Sequence, residues 1–350
     1  MRTDVVVGTP AVADGRTTAA RVGGWLPLAL LVGVAYPLAP PILFAMATAP
    51  LDPVAHAAAV AVGILLVFAV PMAGAALLWS SAGKNDTGAL QARGIGMLLV
   101  IAPVLRALGV GISAVTGLQG WGAAAAWVAF WAAATIGIAA RSASPRPLLA
   151  PAVNRRVRRV HRTFIVLLIL FVITHLAVNL TAIRDLSIYN QAAGWFRLVW
   201  RTPLAESILI VLLVTQVVTG LMLALDATIG RSSFEHLCQI TAGTFIAVFL
   251  MSHTLAVAVL GRALLNRGPD FTFASGGPAG LFGSAQSTTL FPYYGLGVVA
   301  VFVHLARPVR LYVTRKAGDA HARRAAAVLA GVGLVLSVLL LRALVHPGGR

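Results

Sequence analysis

Residues 162 to 181 read RTFIVLLILFVITHLAVNLT, an apolar run entered through the basic cluster Arg155, Arg156, Arg158, Arg159, His161 and Arg162. Twenty helical residues at about 1.5 Å each cover the roughly 30 Å hydrocarbon core of a bilayer. The run therefore reads as a transmembrane helix that begins at its arginine-rich end. Its single histidine, His175, falls at membrane depth, where an imidazole needs a metal, a cofactor or another polar side chain as partner.

The flanking sequence is of the same kind. Of 350 residues, 59% are hydrophobic and 11% charged, with mean hydropathy +0.89. A soluble domain carries roughly twice that share of charge, so the fold class is an all-α polytopic membrane helix bundle. Apolar runs of spanning length fall at 24–48, 56–80, 94–116, 121–140, 163–182, 204–225, 237–260, 291–312 and 325–345, which predicts nine transmembrane helices. Proline, glycine and polar residues punctuate the breaks. The connection 117–120 is so short that the third and fourth helices should be antiparallel neighbours.

The net charge of +17 would raise the question of nucleic acid in a soluble protein. Here the basic residues sit between the apolar runs, so membrane lipid and topology account for them and no nucleic-acid partner is expected. With the N-terminus inside, nineteen Lys and Arg fall on the inner side and seven on the outer, which predicts N-terminus in and C-terminus out. The first 23 residues hold no long apolar segment, so no cleaved signal is expected. Cys238 is the one cysteine, which excludes an internal disulfide and any paired-cysteine metal motif. The expected setting is a bacterial inner membrane.

Four segments are predicted: a four-helix membrane block over 1–140, a basic cytoplasmic linker over 141–162, a second four-helix block over 163–313 and a C-terminal helix over 314–350. The second block carries one polar side chain on each of four consecutive helices: His175, Gln216, His253 and His304. His175 and His253 each lie nine residues before an arginine that marks the outer boundary, Arg184 and Arg262. Both imidazoles are thus placed roughly 14 Å below that boundary and can face each other across one iron. His304 and Gln216 belong to a layer nearer the inner side, where an amide is a poor iron ligand and Met222 is an alternative. Asn179 shares the helical face of His175 and could hold its ring. His161 and Arg162, at the mouth of the fifth helix, could bind heme propionates or quinone oxygens, or simply be part of a basic stop signal. Arg106 is the one charge mid-span in the first block. No Asp or Glu lies deep in a span, which leaves a carboxylate proton relay without parts. The long loop 261–290 is expected to cap the outer layer.

These residues resemble the membrane-anchor cytochrome b subunit of succinate dehydrogenases and fumarate reductases of the single-anchor kind. The resemblance covers 158–312 and rests on RRVHRTFIVLLILFVITHLAVN, SIYNQAAGWFR, TPLAESILIVLLVTQVVTGLMLA, ITAGTFIAVFLMSHTLAVAVLGRAL and FPYYGLGVVAVFVHLARPVR. It implies four helices whose histidines hold two stacked b hemes, with His175 and His253 as the pair farther from the catalytic subunits. His304 resembles one member of the nearer pair, and Gln216 stands where its histidine partner belongs. The expected function is electron transfer between a membrane quinone and a partner protein through heme b, one or two per chain. Peripheral redox subunits would dock on the basic cytoplasmic face, and the chain would be at most a non-catalytic electron-transfer subunit. A heme-free anchor or assembly protein of the same fold, and a transporter of small or lipidic solutes, are the alternative readings.

Overall fold

A computed structural model describes residues 26–140, 149–227, 232–266, 268 and 270–348, apart from the side chains of 226 and 227. Arg2, Arg16, Arg21, Arg141, Arg146, Arg231, Arg267 and Arg350, which enter the orientation count, lie outside the described residues, as do the first eight positions of the basic linker and the side chain of Asp226.

The described chain is helical, and its helices answer closely to the apolar runs. We label them α1 (Leu26–Thr48), α2 (Pro53–Ser81), α3 (Thr87–Val100), α4 (Ala102–Thr116), α5 (Gly120–Ala139), α6 (Pro151–Thr163), α7 (Ile165–Leu180), α8 (Leu186–Trp200), α9 (Pro203–Ala227), α10 (Phe234–Thr254), α11 (Leu290–Ala317) and α12 (Asp319–Val345). Among the described residues eight helices are long and apolar enough to cross a membrane, and α3 with α4 can form a ninth span bent by 54° at Ile101. The protein is thus an integral membrane protein by the length and apolarity of its helices.

The scarce acidic residues are spent on the breaks. Asp52 Oδ1 accepts from the backbone N–H of Val54 and Ala55 (3.1 and 3.0 Å) and starts α2, while Asp86 Oδ1 accepts from Ala89 (2.8 Å) and starts α3. Asp185 and Asp270 cap α8 and the short turn Phe271–Ala274 in the same way. A carboxylate at a helix start satisfies free N–H groups and meets the positive end of the helix dipole. At the far end of α2 the fully buried Arg93 donates to the carbonyls of Ser81 and Lys84, which ties the α2–α3 hairpin together. Gln91 Nε2 donates to Ala139 O (2.9 Å), so α5 returns antiparallel to the α3–α4 pair as the short connection predicts.

Helices from distant parts of the chain share their cores. Ile101, Val104 and Ala107 of α3–α4 pack with Ala242 and Phe245 of α10 and Tyr293 and Ala300 of α11. A second cluster joins Leu43 of α1 and Val67 of α2 to Tyr189 of α8 and Leu340, Leu341 and Leu344 of α12. The segment after α10 folds over this end: Phe271 and Leu281 are fully buried in the second cluster, and Gly280, at φ +75°, lies so close to the carbonyls of Leu344 and Val345 that a side chain has no room. Between α10 and that segment, Leu255–Leu264 winds as a wider π-helix, with Leu265 N–H reaching Leu260 O (3.0 Å).

Candidate functional site

α7 and α10 each carry a histidine near the end that meets the folded segment. His175 and His253 face each other with ring centres 6.1 Å apart and planes at 75°. The depth count made from Arg184 and Arg262 thus agrees with the structure in making these two side chains neighbours. Each ring is backed by a phenylalanine one turn earlier on its own helix: Phe171 lies parallel to His175 (5.6 Å, 12°) and Phe249 parallel to His253 (5.5 Å, 10°). The sequences FVITH and FLMSH share this spacing, a repeat legible in the chain that the depth argument alone does not use. Residues four apart on a helix stack one above the other, so the phenylalanine fixes the imidazole's rotation from below. The hydroxyls of Thr174 and Ser252 turn back to Phe171 O (3.0 Å) and Phe249 O (3.0 Å). Asn179 Nδ2 donates to His175 O (2.8 Å) and comes within 3.5 Å of His175 Nε2, as its shared face predicts. Among the described residues no hydrogen-bond partner is seen at either ring nitrogen of His253.

A second pair lies nearer the arginine-rich end. The ring of His304 on α11 faces His161 on α6, with centres 6.5 Å apart and planes at 78°. Sequence reasoning placed His304 opposite Gln216 or Met222; instead Gln216 Nε2 donates to the backbone carbonyl of His161 (2.8 Å) and positions the helix that carries the second imidazole. His161 reaches this place because the chain breaks at Phe164 and α6 packs on α9. There Gly220 stands against its ring, so that an added Cβ would sit 3.4 Å from His161 Cε1. Gly243 of α10 lies still closer to His304: a Cβ there would come to 2.8 Å from Cε1.

The hydrogen bonds of the second pair assign its tautomers. His304 Nδ1 lies 2.9 Å from Gln239 O, a carbonyl that can only accept, so Nδ1 carries the proton. Thr219 donates its hydroxyl to Thr215 O (2.6 Å), which leaves its oxygen to accept from His161 Nδ1 at 2.9 Å. Both rings therefore present a bare Nε2, the arrangement that holds and orients metal-ligating imidazoles. Burial first, then His304 and Arg162, push the His161 imidazole down to about 4, so it is neutral near pH 7.

An imidazole nitrogen lies about 1.1 Å from its ring centre and a metal–nitrogen bond is about 2.0 Å, so two rings that held one metal between them would have centres about 6.2 Å apart. The two pairs, at 6.1 and 6.5 Å, come close to that separation. No group of three His, Cys, Asp or Glu side chains suited to a bare metal ion occurs among the described residues. A macrocyclic metal cofactor would be held at either level by the two facing imidazoles. Gly243, beside His304, precedes His253 by ten residues on the same helix, which sets the two pairs about 15 Å apart along the bundle axis.

Elsewhere, Arg162 lines an open surface cavity with Arg155, Arg158, Arg159 and Thr163. Arg106 lies half-buried on α4 just past the bend at Ile101, within electrostatic reach of Tyr36, and its Nε lacks a hydrogen-bond partner. Arg262, in the π-helix, pairs with Glu206 at the start of α9. No family model, curated protein or solved structure matches the chain.

Proposed function

We propose that the protein is a membrane cytochrome b that binds two b-type hemes, one between His175 and His253 and one between His161 and His304, and passes electrons between a membrane quinone and a redox partner. The observation that carries this reading is the recurrence, at two depths, of facing imidazoles with centres 6.1 and 6.5 Å apart. Bound hemes would supply one-electron redox chemistry at each level. The chain's own residues hold and orient the axial ligands: Phe171 and Phe249 from below the outer pair, Thr219 and the Gln239 carbonyl from behind the inner pair. Neutral imidazoles with their protons on Nδ1 leave Nε2 free to bind iron at the inner pair. With the N-terminus cytoplasmic, the inner pair lies toward the basic face where a peripheral subunit would dock, and the setting would be a bacterial plasma membrane.

A second reading has its own support. Ring separations near 6 Å also suit edge-to-face packing, and the bonds from His304 to Gln239 O and from Gln216 to His161 O would by themselves hold a heme-free anchor together. The spectrum of the purified chain separates the two readings. A sharp α-band on reduction, weakened by about half in either His175→Ala or His253→Ala, is the expected result, and a chain purified with no such band after expression with ample heme overturns the cytochrome reading.

A further inference from the structure

Helix α6 carries a second set of side chains beside its imidazole. Arg155, Arg158, Arg159 and Arg162 follow the spacing i, i+3, i+4, i+7, which sets four guanidinium groups along one face of the helix. All four are exposed, and with Thr163 they line an open cavity of about 450 Å³. Arg158 is steadied by Asn154 Oδ1, which accepts from its Nε at 2.6 Å. Arg307 on α11 adds a fifth cation within electrostatic reach. The ion pairs among the described residues involve Arg262, Arg310 and Arg323 and none of these four. The sequence explains why, since no Asp or Glu occurs between Asp86 and Asp185.

Four like charges on about 10 Å of helix repel one another, and among the described residues no carboxylate pairs with them. An anion from outside the chain can supply the neutralising charge. What lies beside the cluster identifies its source: Phe164, Val166, Leu167 and Leu170 are 42, 75, 38 and 52% exposed and run from the arginines straight down the span of α7. A ligand that meets both surfaces has anionic oxygens at one end and hydrocarbon at the other. We infer that Arg155, Arg158, Arg159 and Arg162 form a binding site for the headgroup of an anionic phospholipid, with a lipid carrying two phosphates as the best match, and that its acyl chains lie along the exposed face of α7. Guanidinium forks bind phosphate oxygens in pairs, and two phosphates give all four arginines a partner. The same helix carries His161 on its flank, so the lipid pins the element that presents that imidazole. The inference does not depend on heme binding.

The test uses the full chain, purified in a zwitterionic detergent, stripped of lipid and examined by native mass spectrometry with tetraoleoyl diphosphatidylglycerol, dioleoylphosphatidylcholine or inorganic pyrophosphate. The expected result is one tightly held diphosphatidylglycerol per chain, weakened about 30-fold in the variant with Arg155→Gln and Arg159→Gln, at roughly fivefold per arginine. The control pair Arg315→Gln and Lys316→Gln, exposed at the end of α11, should bind like the wild type. Should the double variant fail to fold, the single Arg159→Gln and Arg159→Lys variants are compared: the first should lose about fivefold, and the second, which keeps the charge but not the fork, should lose less. Equal retention of phosphatidylcholine overturns the inference. So does complete displacement of the lipid by pyrophosphate at equal concentration, which would make the site one for a soluble anion. Unchanged lipid binding in the double variant, with loss of a co-purifying peripheral protein instead, assigns the arginines to a protein partner and also refutes it.

Discussion

Gly243→Ala should remove one heme and leave the other. In the native packing an added Cβ at this position would stand 2.8 Å from His304 Cε1 and 2.9 Å from Nδ1. Ordinary carbon–carbon contact begins at about 3.4 Å, so the imidazole must retreat by about 0.6 Å. A metal–nitrogen bond keeps its length to within about 0.2 Å, and the displaced ring can no longer serve as a relaxed axial ligand. Overpacking of this kind costs about 1–3 kcal/mol, which translates to roughly 5- to 150-fold weaker heme retention at the His161/His304 level. The other ring offers an internal control, because at Gly220 the same methyl group would sit 3.4 Å from His161 Cε1, ordinary contact that Gly220→Ala should tolerate. Heme per chain, measured as the pyridine adduct beside total protein, should fall from two toward one in Gly243→Ala and stay near two in Gly220→Ala. Two hemes with unchanged reduction potentials in Gly243→Ala, or equal losses in both glycine variants, would refute the assignment of His304 as a ligand.

Three further outcomes follow from the same geometry. His161→Ala and His304→Ala should each remove the same heme, and combining them should cost no more than either alone, while adding His175→Ala removes the rest; redox titration of each variant checks the pairing. Thr219→Val keeps the volume but deletes the oxygen that accepts from His161 Nδ1, and should weaken the inner site about 10- to 100-fold without touching the outer one. Burial, with His304 and Arg162 beside it, holds the imidazole of His161 at about 4, so it stays neutral in the folded chain where an unfolded histidine near about 6.5 has taken a proton. The unfolded state therefore binds more protons between those values, so this contribution to stability is complete above about pH 6.5 and is lost as the pH falls toward 4. Acid titration followed by absorbance should find the inner site retained through pH 6.5, and its loss there would contradict the buried, neutral ring.

The spans were legible because hydrocarbon imposes a length and a composition on any helix that crosses it. The run at 94–116 reads as one helix because hydropathy does not register a bend, yet Pro103 in the first turn of α4 marks where α3 ends. The pair His175 and His253 was legible from depth, because Arg184 and Arg262 set the same scale on two helices. His161 was legible only as a donor to heme propionates or quinone oxygens or as part of a basic stop signal, not as the partner of His304. What turns its ring inward is tertiary: the break at Phe164, the bare face at Gly220 and the bond from Gln216 to its carbonyl. Gln216 was read as a failed ligand because order along the chain put it in a histidine's place, whereas it acts through the backbone of another helix. The four-arginine face of α6 was visible as charge, but its separation from the imidazole on the same helix needed the orientation that α9 gives it.

The most direct test of the central claim is the heme content of the purified chain, read together with its reduced-minus-oxidised spectrum. Two hemes per chain, both low-spin and each lost with its own histidine pair, is the predicted result. A colourless chain, or one whose heme survives removal of both His175 and His304, would contradict it.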